Sequence, residues 1–228
     1  MVGAESDGHY FVEEAIRCGA SAIVAERVVP TGGVPLFVVS DVREAYGTVC
    51  QQLVGNPSRK LRVIGVTGTS GKSTTVELIR SVLEAAGFQA GTIGSLGCYN
   101  GVAQTMLPAT TPGPPQLAIQ LAKMAANGCT HAVIEADSRS LSQARMAGIE
   151  VDVACITNIR RDHLDYHNSV ENYRRAKTKL LDQLAPEGLT VLNADDPTCT
   201  QLLSQINGPV LTVGTGETAQ LEIGRAHV

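Results

Sequence analysis

Tryptophan is absent from this chain of 228 residues, and five tyrosines with three phenylalanines bring the aromatics to only 4%. A core without large rings must be filled by Ala, Val, Leu and Ile, which dominate the 43% hydrophobic content. That composition suits buried parallel strands covered by helices. No apolar run reaches membrane-spanning length, and the start, Met1-Val2-Gly3-Ala4-Glu5-Ser6-Asp7, carries acid where a secretory signal needs base. There is no excess of positive charge either. A formal net charge of −4 gives no general pull towards nucleic acid or acidic membranes. The six cysteines (Cys18, Cys50, Cys98, Cys129, Cys155, Cys199) show no C-x-x-C spacing, so they read as reduced core residues rather than disulfides or zinc ligands. Internal repeats and low-complexity tracts are missing too. The expectation is a cytoplasmic, monomeric protein with no nucleic-acid or membrane partner, long enough for one sizeable core or two smaller ones.

What the chain does have is a phosphate cradle. Val63 to Glu77 read V-I-G-V-T-G-T-S-G-K-S-T-T-V-E: an apolar strand, a glycine-rich turn, a lysine with hydroxyls, then a helix. Successive N–H groups from Gly68 to Lys72 can point at one anion, because Gly68 and Gly71 tolerate positive φ and have no Cβ to block approach. Thr69 and Ser70 lie within that turn. Lys72 offers a cation to the terminal phosphates, and Ser73 or Thr74 a hydroxyl for a phosphate-bound Mg²⁺. The helix N-terminus adds its positive dipole end. The match to G-x-x-x-x-G-K-[ST] is imperfect, with Val66 at the first glycine position and glycines at Gly65 and Gly68 instead. An ordinary glycine-rich turn is the bland alternative. The preceding strand and an amphipathic helix (Val76, Ile79, Leu83, Ala86, stopped by Gly87) argue against it.

The first segment predicts a helix over Val12 to Cys18, strands over Ala22 to Ala25 and Pro35 to Val39, and a helix from Asp41 towards Leu53. Asn56-Pro57-Ser58 reads as a linker. From Leu61 onward strands and helices alternate. Strands fall at Val63 to Val66, near Gly91 to Gly94, and at Ala132 to Ile134, Val151 to Thr157 and Thr190 to Leu192. Helices follow Lys72, run from Pro115 to Asn127, form a short piece around Leu141 to Met146, and run from Ser169 to Leu184. This is a parallel α/β sheet. Ligands of such sheets bind beyond the carboxyl ends of the strands. Glu135 to Ser138, Thr157 to His163 and Asn193 to Asp196 should therefore crowd the same edge as Gly71.

Glu135 ends an apolar strand, where an unpaired carboxylate is costly to bury. It is either a ligand of Mg²⁺, which takes oxygen donors and keeps several waters, or an exposed strand end paired with an arginine. His163, between Asp162 and Asp165, follows a strand at the active edge. A neighbouring carboxylate could fix its tautomer and raise its basicity as a ligand. His167 reads as exposed or hydrogen-bonding. Tyr173 and Lys177 are four apart and share a helix face that Lys179 does not, so Lys177 can point inward. The bland reading of this basic stretch is a solvated face.

These motifs occur in one order: G-V-T-G-T-S-G-K-S-T-T, then Thr110-Thr111-Pro112, Glu135 with Ser138, Gln143 and Arg145, then Asp162-His163-Leu164-Asp165-Tyr166-His167, Tyr173 with Ala176-Lys177, and Asn193-Ala194-Asp195-Asp196-Pro197. Together they resemble the Mur ligases, of the MurE type. The D-G-H-Y-F stretch and the A-I…G-A-S-A-I-V pattern extend the resemblance into the first segment.

The resemblance implies a P-loop-type central ATP-binding domain with a parallel sheet over residues 58–221. It also implies part of an α/β UDP-sugar-binding domain over 1–57, with the C-terminal ligase domain absent. Residues 222–228 read like a translated sequencing adapter, a non-native tail. The implied reaction is ATP-driven amide formation on a UDP-N-acetylmuramoyl-peptide through an acyl phosphate. Lys72 and the Gly68 to Thr74 turn would hold ATP. Ser73 and Glu135 would contact one Mg²⁺, and Glu135, His163 and a carbamylated Lys177 a second metal. Thr110, Thr111, Ser138, Gln143 and Arg145 would hold the UDP-sugar peptide, and an amino acid would be the other substrate. One departure stands out: family members usually carry Ser-Ser-His after the glutamate, where this chain has Asp137-Ser138-Arg139. Those two residues could pair with each other, or could mark altered substrate recognition. Rival readings are another amide ligase of the superfamily, such as a folylpolyglutamate synthase, and a nucleotide-binding paralogue that no longer ligates.

Overall fold

A computed structural model describes residues 7–217 and 219–224. The opening residues read above for a signal, 1–6, and residues 225–228 of the expected tail lie outside the described residues.

The first segment forms α1 (Val12–Arg17), β1 (Ile23–Ala25), β2 (Leu36–Val38) and α2 (Val42–Leu53). β1 and β2 pair in parallel, Ile23 opposite Leu36. The Asp41 carboxylate accepts the N–H groups of Arg43 and Glu44 and so starts α2, one residue after the expected boundary. The segment is not loosely tethered. Asn56 turns the chain at φ 50°, and Pro57 and Ser58 are buried within a 3₁₀ turn, so the expected linker is packed structure. A proline at the first position of that turn loses no hydrogen bond. Gly47 of α2 lies so close to Ala147 that a Cβ would sit 2.5 Å from its carbonyl oxygen.

The remaining elements are β3 (Arg62–Thr67), α3 (Lys72–Ala85), β4 (Ala90–Gly94), β5 (Gly97–Tyr99), β6 (Gln104–Thr105), α4 (Pro114–Ala126), β7 (His131–Glu135) and α5 (Ser138–Ser142). They continue with β8 (Val151–Ile156), α6 (Leu164–His167), α7 (Val170–Thr178), β9 (Leu184–Asn193), α8 (Pro197–Leu202), β10 (Val210–Gly214) and β11 (Leu221–Glu222). Among the described residues the strands form one nine-stranded sheet in the order β11-β10-β9-β8-β3-β7-β4-β5-β6. It is parallel from β11 to β4, and antiparallel where β4 meets β5 and β5 meets β6. The expected all-parallel sheet thus gains an antiparallel edge. There the chain folds back at Ser95-Leu96, and Gly97 takes the positive φ of 101° that closes the hairpin.

One core cluster packs α4 (Leu117, Leu121, Met124) against Val63, Ile134 and Ala154; another joins Ile156, Leu192, Cys199 and Tyr173. The cysteines are all free; Cys18 is exposed and Cys155 half-buried, so the expectation of core cysteines fails for Cys18. Two helix boundaries also differ. The predicted Leu141 to Met146 helix lies earlier, because Asp137 caps Ser140 N–H at 2.8 Å and Ala144 breaks the turn at φ 52°. α7 stops at Thr178, short of Leu184. Leu180 instead drops over Gly65, where a Cβ would lie 2.8 Å from its Cδ1.

Candidate functional site

β3 is the central strand between β7 and β8, and the glycine-rich turn leaves its carboxyl end directly into α3. Gly68 has φ 149°, and a Cβ there would overlap the Thr157 hydroxyl. Gly71, at φ 85°, is the N-cap of α3 and supplies no side-chain cap. Asp41, Asp137, Ser169 and Asp196 do cap their helices with side-chain oxygens. The first-turn N–H groups of α3 are therefore left for another acceptor, which is what an anion needs.

The expected run of donors is shifted. Thr69 N–H donates to the Asn158 carbonyl at 2.9 Å and Ser70 N–H to Asn158 Oδ1 at 3.1 Å, so both brace the turn. The uncapped donors begin with the helix itself. Lys72 Nζ folds back onto the carbonyls of Gly68 and Thr69, 3.1 Å from each.

Glu135 is 3% exposed, and no arginine pairs with it among the described residues. Its Oε2 accepts from Ser73 Oγ at 3.0 Å, Ser95 N–H at 3.0 Å and Ser95 Oγ at 3.1 Å. The alternative of an exposed strand end is overturned. Gly94 makes room for the carboxylate, since a Cβ would lie 2.8 Å from Oε2. Ser95 was not singled out from sequence, although its place immediately after β4 was the available signal. The side-chain atoms that could face a cation here, Ser73 Oγ, Ser95 Oγ and the Glu135 carboxylate, are all oxygens, which fits Mg²⁺. No group of three or more His, Cys, Asp or Glu side chains that could hold a metal occurs among the described residues. A cation here would therefore draw on hydroxyls, one carboxylate and oxygens of its ligand. His163 is exposed at φ 48°, with Nε2 3.5 Å from Asp162 Oδ2. The structure pairs it with that carboxylate rather than with Glu135.

Lys177 is 1% exposed, whereas Lys179 on another face is exposed, so the inward reading holds and the solvated-face reading fails for Lys177. Its Nζ donates to the Gly68 carbonyl at 2.6 Å and lies 4.8 Å from the centre of the Tyr173 ring. Burial, followed by the charge of Lys72, pushes its pKa down to about 7, against the opposing pull of Asp137, Asp162 and Glu135.

Beside this lies a hydrogen-bonded surface. Buried Thr111 donates from Oγ1 to the Glu135 carbonyl at 2.6 Å, and its own carbonyl accepts from Arg145 at 2.7 Å. Arg145 also holds Gln143 Oε1 at 3.0 and 2.8 Å, and Gln143 Nε2 donates to the Tyr166 hydroxyl at 3.1 Å. Ser138 Oγ pairs with His167 Nε2 at 2.9 Å. Three of the expected substrate residues, Thr111, Arg145 and Gln143, are thus joined by hydrogen bonds, Ser138 pairs separately with His167, and half-buried Thr110 is next to Thr111 in sequence. His167 is buried as well as hydrogen-bonded, and burial lowers its pKa, with His163, Lys177 and Arg139 adding to the effect. Asp137 and Arg139 do not pair. Asp137 caps α5, while Arg139 reaches Asp165 at 3.4 Å and lies over the Tyr166 ring. Asn193 and Asp196 brace the edge: Asn193 Nδ2 donates to the Thr157 carbonyl at 2.9 Å, and Asp196 caps α8.

A cavity of about 640 Å³ lies at the opposite, amino end of the strands. Its Arg59 and Arg62 are already paired with Glu150 and Asp152.

A model of the Mur ligase middle domain matches residues 66–228, more than half of the chain. A UDP-N-acetylmuramoyl-L-alanyl-D-glutamate--2,6-diaminopimelate ligase of Chlorobium phaeobacteroides is 39% identical over 208 residues, which are 90% of this chain and 41% of that protein. A solved structure of a ligase of the same name superimposes with a TM-score of 0.76 at 31% identity, covering 92% of this chain and 44% of the other. The MurF ligase of Thermotoga maritima, solved in complex with ADP, shares the fold at 23% identity and a TM-score of 0.56, over 93% of this chain and 46% of its own. The chain spans less than half the length of these relatives. No helix among the described residues is long and apolar enough to cross a membrane. With the family match running from the end of the central strand through the glycine-rich turn and Lys177, the chain belongs to the Mur ligase family.

Proposed function

We propose that this chain is the nucleotide-binding part of an ATP-dependent ligase that joins an amino acid to a UDP-N-acetylmuramoyl-peptide in peptidoglycan synthesis. One observation carries the reading: an uncapped helix N-terminus with Lys72 adjoins the buried oxygen cluster of Ser73, Ser95 and Glu135. The first-turn N–H groups of α3 and Lys72 would bind the ATP phosphates. Ser73 and Glu135 would hold Mg²⁺, which supplies charge neutralisation on the phosphate oxygens. His163, Glu135 and a carbamylated Lys177 would hold a second ion. A lysine whose ammonium is destabilised by burial has a larger neutral fraction to take up CO₂, which supports that assignment. Residues 58–221 would form the ATP-binding unit, and the first segment, through residue 57, part of a UDP-sugar-binding unit. Thr110, Thr111, Ser138, Gln143 and Arg145 would hold the muramoyl-peptide.

The substrate carboxylate would attack the γ-phosphorus and release ADP. The amine of the amino acid would then displace phosphate from the acyl phosphate. The residues of this chain would contribute positioning and charge stabilisation rather than a covalent nucleophile.

The test is a chimaera in which this chain replaces the matched part of the Chlorobium relative. It is assayed with ATP, Mg²⁺, UDP-N-acetylmuramoyl-L-alanyl-D-glutamate and 2,6-diaminopimelate. Amide product that disappears with Lys72→Ala is expected. A folded chimaera that binds ATP yet forms no product with any amino acid would favour the non-ligating reading.

A further inference from the structure

Tyr173 is 0% exposed on α7, and among the described residues its hydroxyl has one partner, the Thr69 hydroxyl, at 2.9 Å. Thr69 is the second residue of the phosphate turn. Its Oγ1 also accepts from Arg160 N–H at 2.9 Å, and its N–H donates to the Asn158 carbonyl at 2.9 Å. Its carbonyl holds Lys72 Nζ at 3.1 Å. At the other end of the tyrosine, Lys177 Nζ lies 4.8 Å from the ring centre, and the His167 ring meets it edge-on at 5.4 Å. Tyr173 therefore touches the turn through its hydroxyl and Lys177 through its π face.

We infer that Tyr173 is a positioning residue that fixes the phosphate turn against α7 through Thr69, and so sets where Lys72 and Lys177 stand relative to each other. This rests on reading the turn as the nucleotide site. The bond is directional in its consequences. Tyr173→Phe removes a phenol and leaves Thr69 still paired with Arg160. Thr69→Val instead orphans both the buried phenol and the Arg160 N–H, and unmade buried bonds cost more than removed ones. Thr69→Ser keeps the hydroxyl.

Two measurements on the 228-residue chain test it. Hydrogen exchange without nucleotide should show the Thr69 and Ser70 amides exchanging roughly tenfold faster in Tyr173→Phe, on the scale of one lost buried hydrogen bond, with core amides of β3 and β7 unchanged. Calorimetry with ADP and Mg²⁺ should show about fivefold weaker binding in Tyr173→Phe. Thr69→Val should bind more weakly still, Thr69→Ser like the parent, and the double variant no more weakly than Thr69→Val. A parent chain that does not bind ADP overturns the phosphate-site reading and this inference with it. Parent binding that Tyr173→Phe retains, with exchange at Thr69 and Ser70 unchanged, overturns the inference alone. Faster exchange across the whole sheet would also contradict it, since that marks a global loss of stability.

Discussion

Lys177 is 1% exposed, and among the described residues its Nζ has a single hydrogen-bond partner, the Gly68 carbonyl. Its pKa falls to about 7 through burial and then Lys72, with Asp137, Asp162 and Glu135 facing it from the other side. An unfolded lysine titrates near 10.4. Between those values the unfolded chain binds more protons than the folded one, so this residue makes stability rise with pH from about 7 towards 10. Below about 7 both states are protonated and its penalty is constant. Lys177→Met should flatten that rise, measured as urea midpoints across the range; parallel pH profiles of the two proteins would contradict the assignment. The inward face was legible because Tyr173 and Lys177 are four apart on a helix. Ser95 was not, because its role depends on the β4–β5 hairpin carrying its N–H and hydroxyl to Glu135, a contact between residues 40 apart.

Among the elements, α5 shows how Asp137 can stand where the resemblance leads one to expect a serine. Asp137 Oδ1 accepts the Ser140 N–H at 2.8 Å, and Oδ2 lies 3.3 Å from Thr111 Oγ1. Aspartate and serine are both good N-caps. Asp137→Ser should therefore keep most of the stability, whereas Asp137→Ala should cost about 1 kcal/mol. Thermal or urea unfolding of the two variants checks this, and equal losses would remove the capping explanation. Strands and helices with strong periodicity, such as β3, α3, α4 and β8, were legible within one or two residues. The misread boundaries have local causes: the Asp137 cap and the positive φ of Ala144 moved α5, and burial of Leu180 over Gly65 ended α7 early. The two-residue strand β6 has too little sequence to show a period.

At the scale of the whole molecule, the order of motifs along the chain was legible because each follows a strand that points the same way. β3, β7, β8 and β9 are parallel neighbours, so Ser70, Glu135, Asn158 and Asn193 reach one edge. Which amides of the turn remain for an anion was not legible, because it depends on Asn158 taking those of Thr69 and Ser70. The proposed function requires this edge to bind ATP phosphates through Lys72 and the first turn of α3, with Mg²⁺ on Ser73 and Glu135. Calorimetric titration of ATP into the 228-residue chain, with and without Mg²⁺, tests it most directly. Binding should depend on Mg²⁺ and should weaken by about tenfold or more in Lys72→Ala, the scale of a lost charge-assisted hydrogen bond. Equal affinity in the parent and in Lys72→Ala would contradict it.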